Sequence, residues 1–162
     1  MTASASTSRV RLTQFVYLLV LAMVASSEGR AVEGGAGLLA QAAGFALVTA
    51  AVLGRLWTTL FIAGRKGEQL VREGPYSSCR HPLYLCSVLA SLGIGLTTRS
   101  IVLTLALPAV VGAIAGIAAR REDRALLQAH RADWPEYRNA VPAFWPAWSR
   151  HRMPDRVSVP PG

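Results

Sequence analysis

The chain has 162 residues, enough for one domain and too few for two. Apolar residues make up 52% of it and charged residues only 16%, against about a quarter in soluble domains, a balance that points to the membrane. The formal net charge is +8, yet no stretch combines a basic face with interleaved exposed aromatics, so nucleic acid is not an expected partner.

Four apolar runs follow in order. The first, residues 12–26 after Arg9 and Arg11, reads in two ways. It is a short spanning helix, or a secretory signal peptide ending in the small residues Ala25-Ser26-Ser27. The second, residues 38–62, reaches the ~20 residues that a spanning helix needs and is interrupted by Arg55. Arg55 lies ~10 Å of helix from the end of that run. It either snorkels to the interface beside Trp57 or faces a polar pocket between helices, and both readings stand. The third run, residues 83–96 with a span extending to 98, is short. The fourth, residues 101–119, contains Pro108, which should kink the helix or loosen a backbone bond. It also carries Gly112 and Gly116 at small-xxx-small spacing, expected to let another helix approach closely.

Charge sets the expected orientation. The N-terminus, the connection holding Arg65, Lys66, Arg72 and Arg80, and the tail from Arg120 carry fourteen of the seventeen basic residues. By the positive-inside rule these lie in the cytoplasm. The expected fold class is therefore an all-α integral membrane protein of the plasma (inner) membrane. It has about four transmembrane helices and a cytoplasmic C-terminal helical segment. Residues 1–148 form its single domain and 149–162 a flexible tail.

Two polar segments are candidates for chemistry. Glu73-Gly74-Pro75-Tyr76 reads as a turn, after which Pro82 suits the first position of the third helix. Arg80 and His81 then sit where free backbone N–H groups and the helix dipole favour an anion, with Tyr84 one turn on. The same residue types also anchor helices at head-group depth, so spacing alone leaves both readings open. The second segment, Arg120-Arg121-Glu122-Asp123-Arg124, lies on a continuation of the fourth helix to about Ala132. Its adjacent acids either pair with neighbouring arginines or accept hydrogen bonds from a ligand's hydroxyls or amine. Trp134-Pro135-Glu136-Tyr137 and Val141 to Pro146 follow, aromatic and proline-rich, as a segment along the membrane surface. Cys79 and Cys86, if they start one helix, are ~10 Å apart and too distant for a disulfide. Their spacing around His81 matches no common zinc pattern, so no metal is expected.

Together these segments resemble the isoprenylcysteine carboxyl methyltransferase and phospholipid methyltransferase superfamily. Gly74-Pro75-Tyr76 with Arg80-His81-Pro82-Leu83-Tyr84 matches its first motif. Arg120, Glu122 and Leu126 match the second, and Tyr137, Val141, Pro142, Phe144 and Pro146 the third. Cys86 stands in place of a family Gly, Asp123 of a second Glu, and Trp134 of a Tyr. His130-Arg131 stands in place of Phe-Gly, and Ala143 of an Arg. The resemblance implies S-adenosyl-L-methionine as cofactor, held by Tyr76, Arg80, His81, Pro82, Tyr84, Glu122, Asp123 and Tyr137. It implies a lipophilic or small hydrophobic acceptor entering from the lipid bilayer, with isoprenylcysteine-like carboxylate O-methylation foremost. Arg55, Trp57, Trp134 and Arg138 are the expected substrate residues, and His81, Tyr84 and Arg138 the expected catalytic ones. A nicotinamide-dependent membrane reductase of related architecture and a non-catalytic membrane subunit are the alternatives.

Overall fold

The computed structural model describes residues 32–62 and 70–150. The first apolar run, with its two readings, and the tail beyond residue 150 lie outside the described residues. Among those described the architecture is all helical. Its helices are α1 (Gly34–Ile62), α2 (Pro75–Ser78), α3 (Pro82–Thr97), α4 (Ile101–Ala129), α5 (Trp134–Ala140) and a final 3-10 turn, Trp148–Arg150.

α1 and α4 have 29 residues each and are long and apolar enough to cross a membrane. At 1.5 Å per residue each measures ~43 Å, beyond the ~30 Å hydrocarbon layer. Their outward side chains, Leu39, Leu53 and Leu60 on α1 with Leu105 and Ile117 on α4, are exposed in the isolated chain. Water would penalise that surface, whereas lipid would not. α3 has 16 residues, ~24 Å, and packs between α1 and α4.

Local chemistry fixes the ends. Pro82 opens α3 at a position where its missing N–H costs nothing. The tight connection from α3 to α4 places Arg99 at φ 57°, and Ser100 caps α4 by accepting from Leu103 N at 3.4 Å. Arg99 is fixed by Val32 N donating to its carbonyl at 2.9 Å and by its own Nη2 donating to Gln41 Oε1 at 2.7 Å.

Three sequence expectations change. α4, which contains Pro108, ends at Ala129 rather than Ala132. Among the described residues, Gly112 and Gly116 do not mediate a close approach: a Cβ on Gly112 would meet Val88 at 4.0 Å, and one on Gly116 would meet nothing within 4 Å. The close approach lies elsewhere. A Cβ on Gly44 would stand 2.6 Å from the Gly93 carbonyl oxygen and 2.8 Å from Thr97 N. Lastly, Cys79 and Cys86 share no helix, because Cys79 caps the end of α2 while Cys86 lies in α3; both are free thiols.

Candidate active site

At the end of the bundle away from Gly44 and Gly93, α1 and α3 leave a cavity of about 600 Å³. Arg55, Thr59 and Ile62 of α1 line it, with Tyr76 of α2, the run from Arg80 to Tyr84, Ser87 of α3 and Glu122 of α4. Of the two readings of Arg55, the geometry selects the pocket. Its Nη1 donates to Ser87 Oγ at 2.7 Å and to the Leu83 carbonyl at 3.2 Å, and among the described residues no carboxylate pairs with it.

The wall of the cavity is a latch between α3 and α4. Arg80 Nη1 donates to Asp123 Oδ2 at 2.9 Å, while His81 Nε2 lies 2.9 Å from Asp123 Oδ1. His81 Nδ1 lies 3.8 Å from Glu122 Oε2, and Glu122 lines the cavity together with Tyr84. His81 is 4% exposed and packs its ring against Tyr84 and Phe144. Asp123 therefore stands behind the cavity and fixes Arg80 and His81, while Glu122 faces into it.

A strap from the chain's C-terminal side holds the segment before α3. Arg80 N donates to the Pro142 carbonyl at 2.9 Å, His81 N to the Ala143 carbonyl at 3.0 Å, and Ala147 N to the Ser78 carbonyl at 2.9 Å. Arg80 Nε reaches the Val141 carbonyl at 2.9 Å. The N–H groups of Arg80 and His81 are thus consumed by the strap, contrary to the expectation that they face an anion. The first turn of α3 still offers Leu83 and Tyr84 N–H, ahead of its first bond from Leu85 N to the His81 carbonyl at 3.1 Å.

Burial also shifts titration. The Cys79 thiol, 2% exposed and donating to the Ala143 and Phe144 carbonyls, is pushed up to about 11, chiefly by loss of water. Burial likewise raises the Tyr76 and Tyr137 phenols above their usual range, with the Glu122 charge adding to the rise at Tyr76.

Five expected site residues lie outside this cavity: Asp123 behind it, and Trp134, Tyr137, Trp57 and Arg138 elsewhere. Trp134, 1% exposed, and Tyr137 form a core with Val141, against which Leu70 and Leu126 pack. The Tyr137 hydroxyl donates to the Tyr76 carbonyl at 2.8 Å, and the Arg80 guanidinium lies over the Trp134 ring. Trp57 lines a separate apolar groove of about 370 Å³, shared with Leu47, Cys86 and Trp145. Arg138 opens on a third depression, with Arg120 and Arg124. The sequence reading missed Thr59, Ile62 and Ser87. The signal for Ser87 was indirect: an arginine within an apolar run demands polar partners, and Ser87 is the hydroxyl one turn beyond Leu83. Among the described residues, no group of three His, Cys, Asp or Glu side chains is placed to hold a metal ion.

Comparison with known proteins bears on this geometry. The family model described as phospholipid methyltransferase matches residues 30–132, which include Arg55, the run from Arg80 to Tyr84, and Glu122 with Asp123. The chain is similar to the cobalt-zinc-cadmium resistance protein CzcN of Cupriavidus metallidurans, 44% identical over 105 residues, which is 65% of this chain and 48% of that protein. It is similar also to the nickel-cobalt-cadmium resistance protein NccN of Alcaligenes xylosoxydans xylosoxydans, 42% identical over 105 residues, 65% of this chain and 49% of that one. The chain spans about half the length of the curated relatives it matches. No solved structure matches it.

Proposed function

The chain belongs to the phospholipid methyltransferase family, and from that premise we propose that it transfers the methyl group of S-adenosylmethionine to a lipophilic acceptor at the cytoplasmic face of the inner membrane. The observation that carries this reading is the cavity itself. Its volume of about 600 Å³ falls among small-molecule sites, roughly 300–1,000 Å³. Its lining supplies the groups that an amino-acid-bearing sulfonium requires: Glu122 for the ammonium or a ribose hydroxyl, the free Leu83 and Tyr84 N–H groups at the start of α3 for the carboxylate, and the Tyr84 ring for a cation. The basic residues clustered on the Arg80 end support a cytoplasmic orientation for it.

S-adenosylmethionine supplies an electrophilic methyl group that leaves its sulfonium by direct displacement. The protein's contribution is alignment and exclusion of water. The Asp123 latch keeps Arg80 and His81 from moving into the cavity, and Arg55, anchored on Ser87, presents a fixed cation. An isoprenylcysteine-like carboxylate is the acceptor this arrangement favours, since it needs no base and Arg55 offers a cation that Ala143 does not. A second reading, an amine acceptor, is favoured by the Asp123–His81 pair. With Nε2–H directed at Asp123, His81 Nδ1 holds a lone pair toward Glu122, placed to take a proton. For a role in metal resistance of the kind named in the two relatives, the site supports methylation of a membrane component.

Membranes incubated with isotopically methyl-labelled S-adenosylmethionine test the proposal. Mass spectrometry should find the label in a lipid-soluble product when the wild-type chain is present and not with Glu122→Gln. Label absent from every lipid and small-molecule fraction would overturn it.

A further inference from the structure

Arg138 is not spent on the cavity, and its surroundings explain where it is used. Arg120, Arg124 and Leu127 recur on one face of α4, and Arg138 of α5 closes a depression of about 220 Å³ over them. Asp123 and Trp134 complete the lining. None of the three arginines has an ion pair or hydrogen bond among the described residues. Asp123 does not neutralise them, because its two oxygens are taken by Arg80 and His81 at 2.9 Å each. Three cations therefore line a concavity in which, among the described residues, the one carboxylate, Asp123, is already taken.

Depth identifies what fills it. The apolar part of α4, residues 101–119, rises ~28 Å, close to the ~30 Å hydrocarbon thickness. Arg120 then lies at the edge of the hydrocarbon and Arg124 ~6 Å farther out, among the head groups. The Arg80–Asp123 pair, with Trp134 beneath Arg80, separates the depression from the cavity, so an occupant here is not the methyl acceptor. We propose that Arg120, Arg124 and Arg138 form a site for the phosphodiester of an anionic phospholipid, distinct from the cavity between α1 and α3. Guanidinium forks suit phosphate oxygens, and the negative surface of an anionic leaflet strengthens the attraction.

The full chain, reconstituted in mixtures of brominated phosphatidylglycerol and phosphatidylcholine, gives a direct reading through quenching of its tryptophans. Brominated phosphatidylglycerol should quench as if enriched about fivefold over its mole fraction around the wild-type chain. Arg120→Gln/Arg124→Gln/Arg138→Gln should bring it to about its mole fraction, and Arg124→Gln alone should fall between. Arg121→Gln, which removes one charge outside the depression, should keep the enrichment. Equal quenching by the two lipids around the wild-type chain would overturn the proposal. So would an enrichment lost as fully in Arg121→Gln as in Arg124→Gln, or one abolished by millimolar inorganic phosphate, which would assign the site to the free ion.

Discussion

α3 meets its neighbours in two ways along its length. Near Thr97 it touches them backbone to backbone: a Cβ on Gly93 would lie 2.8 Å from the Gly44 carbonyl oxygen, and one on Gly95 would lie 2.5 Å from Thr104 Cα. Near Pro82 the same helix stands off from α1 across a cavity, and polar side chains bridge the gap. Small residues set how closely the helices approach at one end; Arg55, His81 and Asp123 set the shape of the space at the other. The stable end and the chemical end are thus separate parts of one helix pair, a division the following variants probe.

Gly44→Val should have the largest effect. The Gly93 carbonyl and Thr97 N are backbone atoms that cannot move aside, so overpacking should cost about 2–3 kcal/mol. Thermal unfolding in detergent would show it, whereas Gly116→Ala, with no described residue within 4 Å of the added Cβ, should stay within about 0.5 kcal/mol of wild type. Equal losses in both would break the contrast between the two ends. Asp123→Asn should come next. It leaves Arg80, 11% exposed at its side chain, without its carboxylate, and should lower stability by about 2 kcal/mol while weakening donor binding.

Glu122→Gln and His81→Ala should each weaken S-adenosylhomocysteine binding at least tenfold, ~1.4 kcal/mol, and Glu122→Gln should do so with little change in unfolding temperature because Glu122 is half exposed. Unchanged affinity in both would return these residues to surface charge and interfacial anchor. The smallest effect concerns pH. The folded chain holds the Cys79 proton up to about 11, above the 9.0 of a free thiol. The stabilisation is therefore intact below pH 9 and lost as pH rises from 9 toward 11. Unfolding temperatures at pH 8 and pH 10.5 should fall less steeply in Cys79→Ala than in wild type, a difference that isolates the thiol from Tyr76 and Tyr137.

Much of this was legible before the fold. α1 and α4 follow from long apolar runs, and Arg80, His81, Tyr84 and Glu122 follow from motifs that the fold brings to one cavity. What the sequence hid was of two kinds. Contacts made through backbone atoms, such as Gly44 on Gly93 and the strap carbonyls of residues 142 and 143, leave no side-chain signature. Aromatic motifs read the same whether they face a ligand or a core. Trp134 and Tyr137 looked like site residues and instead hold Arg80 and the Tyr76 carbonyl in place from behind. Gly112 and Gly116 find no close helix contact among the described residues, because their spacing permits one without requiring it.

The most direct test of the central claim is calorimetric titration of the detergent-purified chain with S-adenosylhomocysteine and, separately, with NADPH. Saturable binding of S-adenosylhomocysteine at one site per chain is expected, at least tenfold weaker in Glu122→Gln, with no binding of NADPH. Binding of NADPH alone would contradict the claim in favour of a reductase, and binding of neither in favour of a non-catalytic membrane subunit.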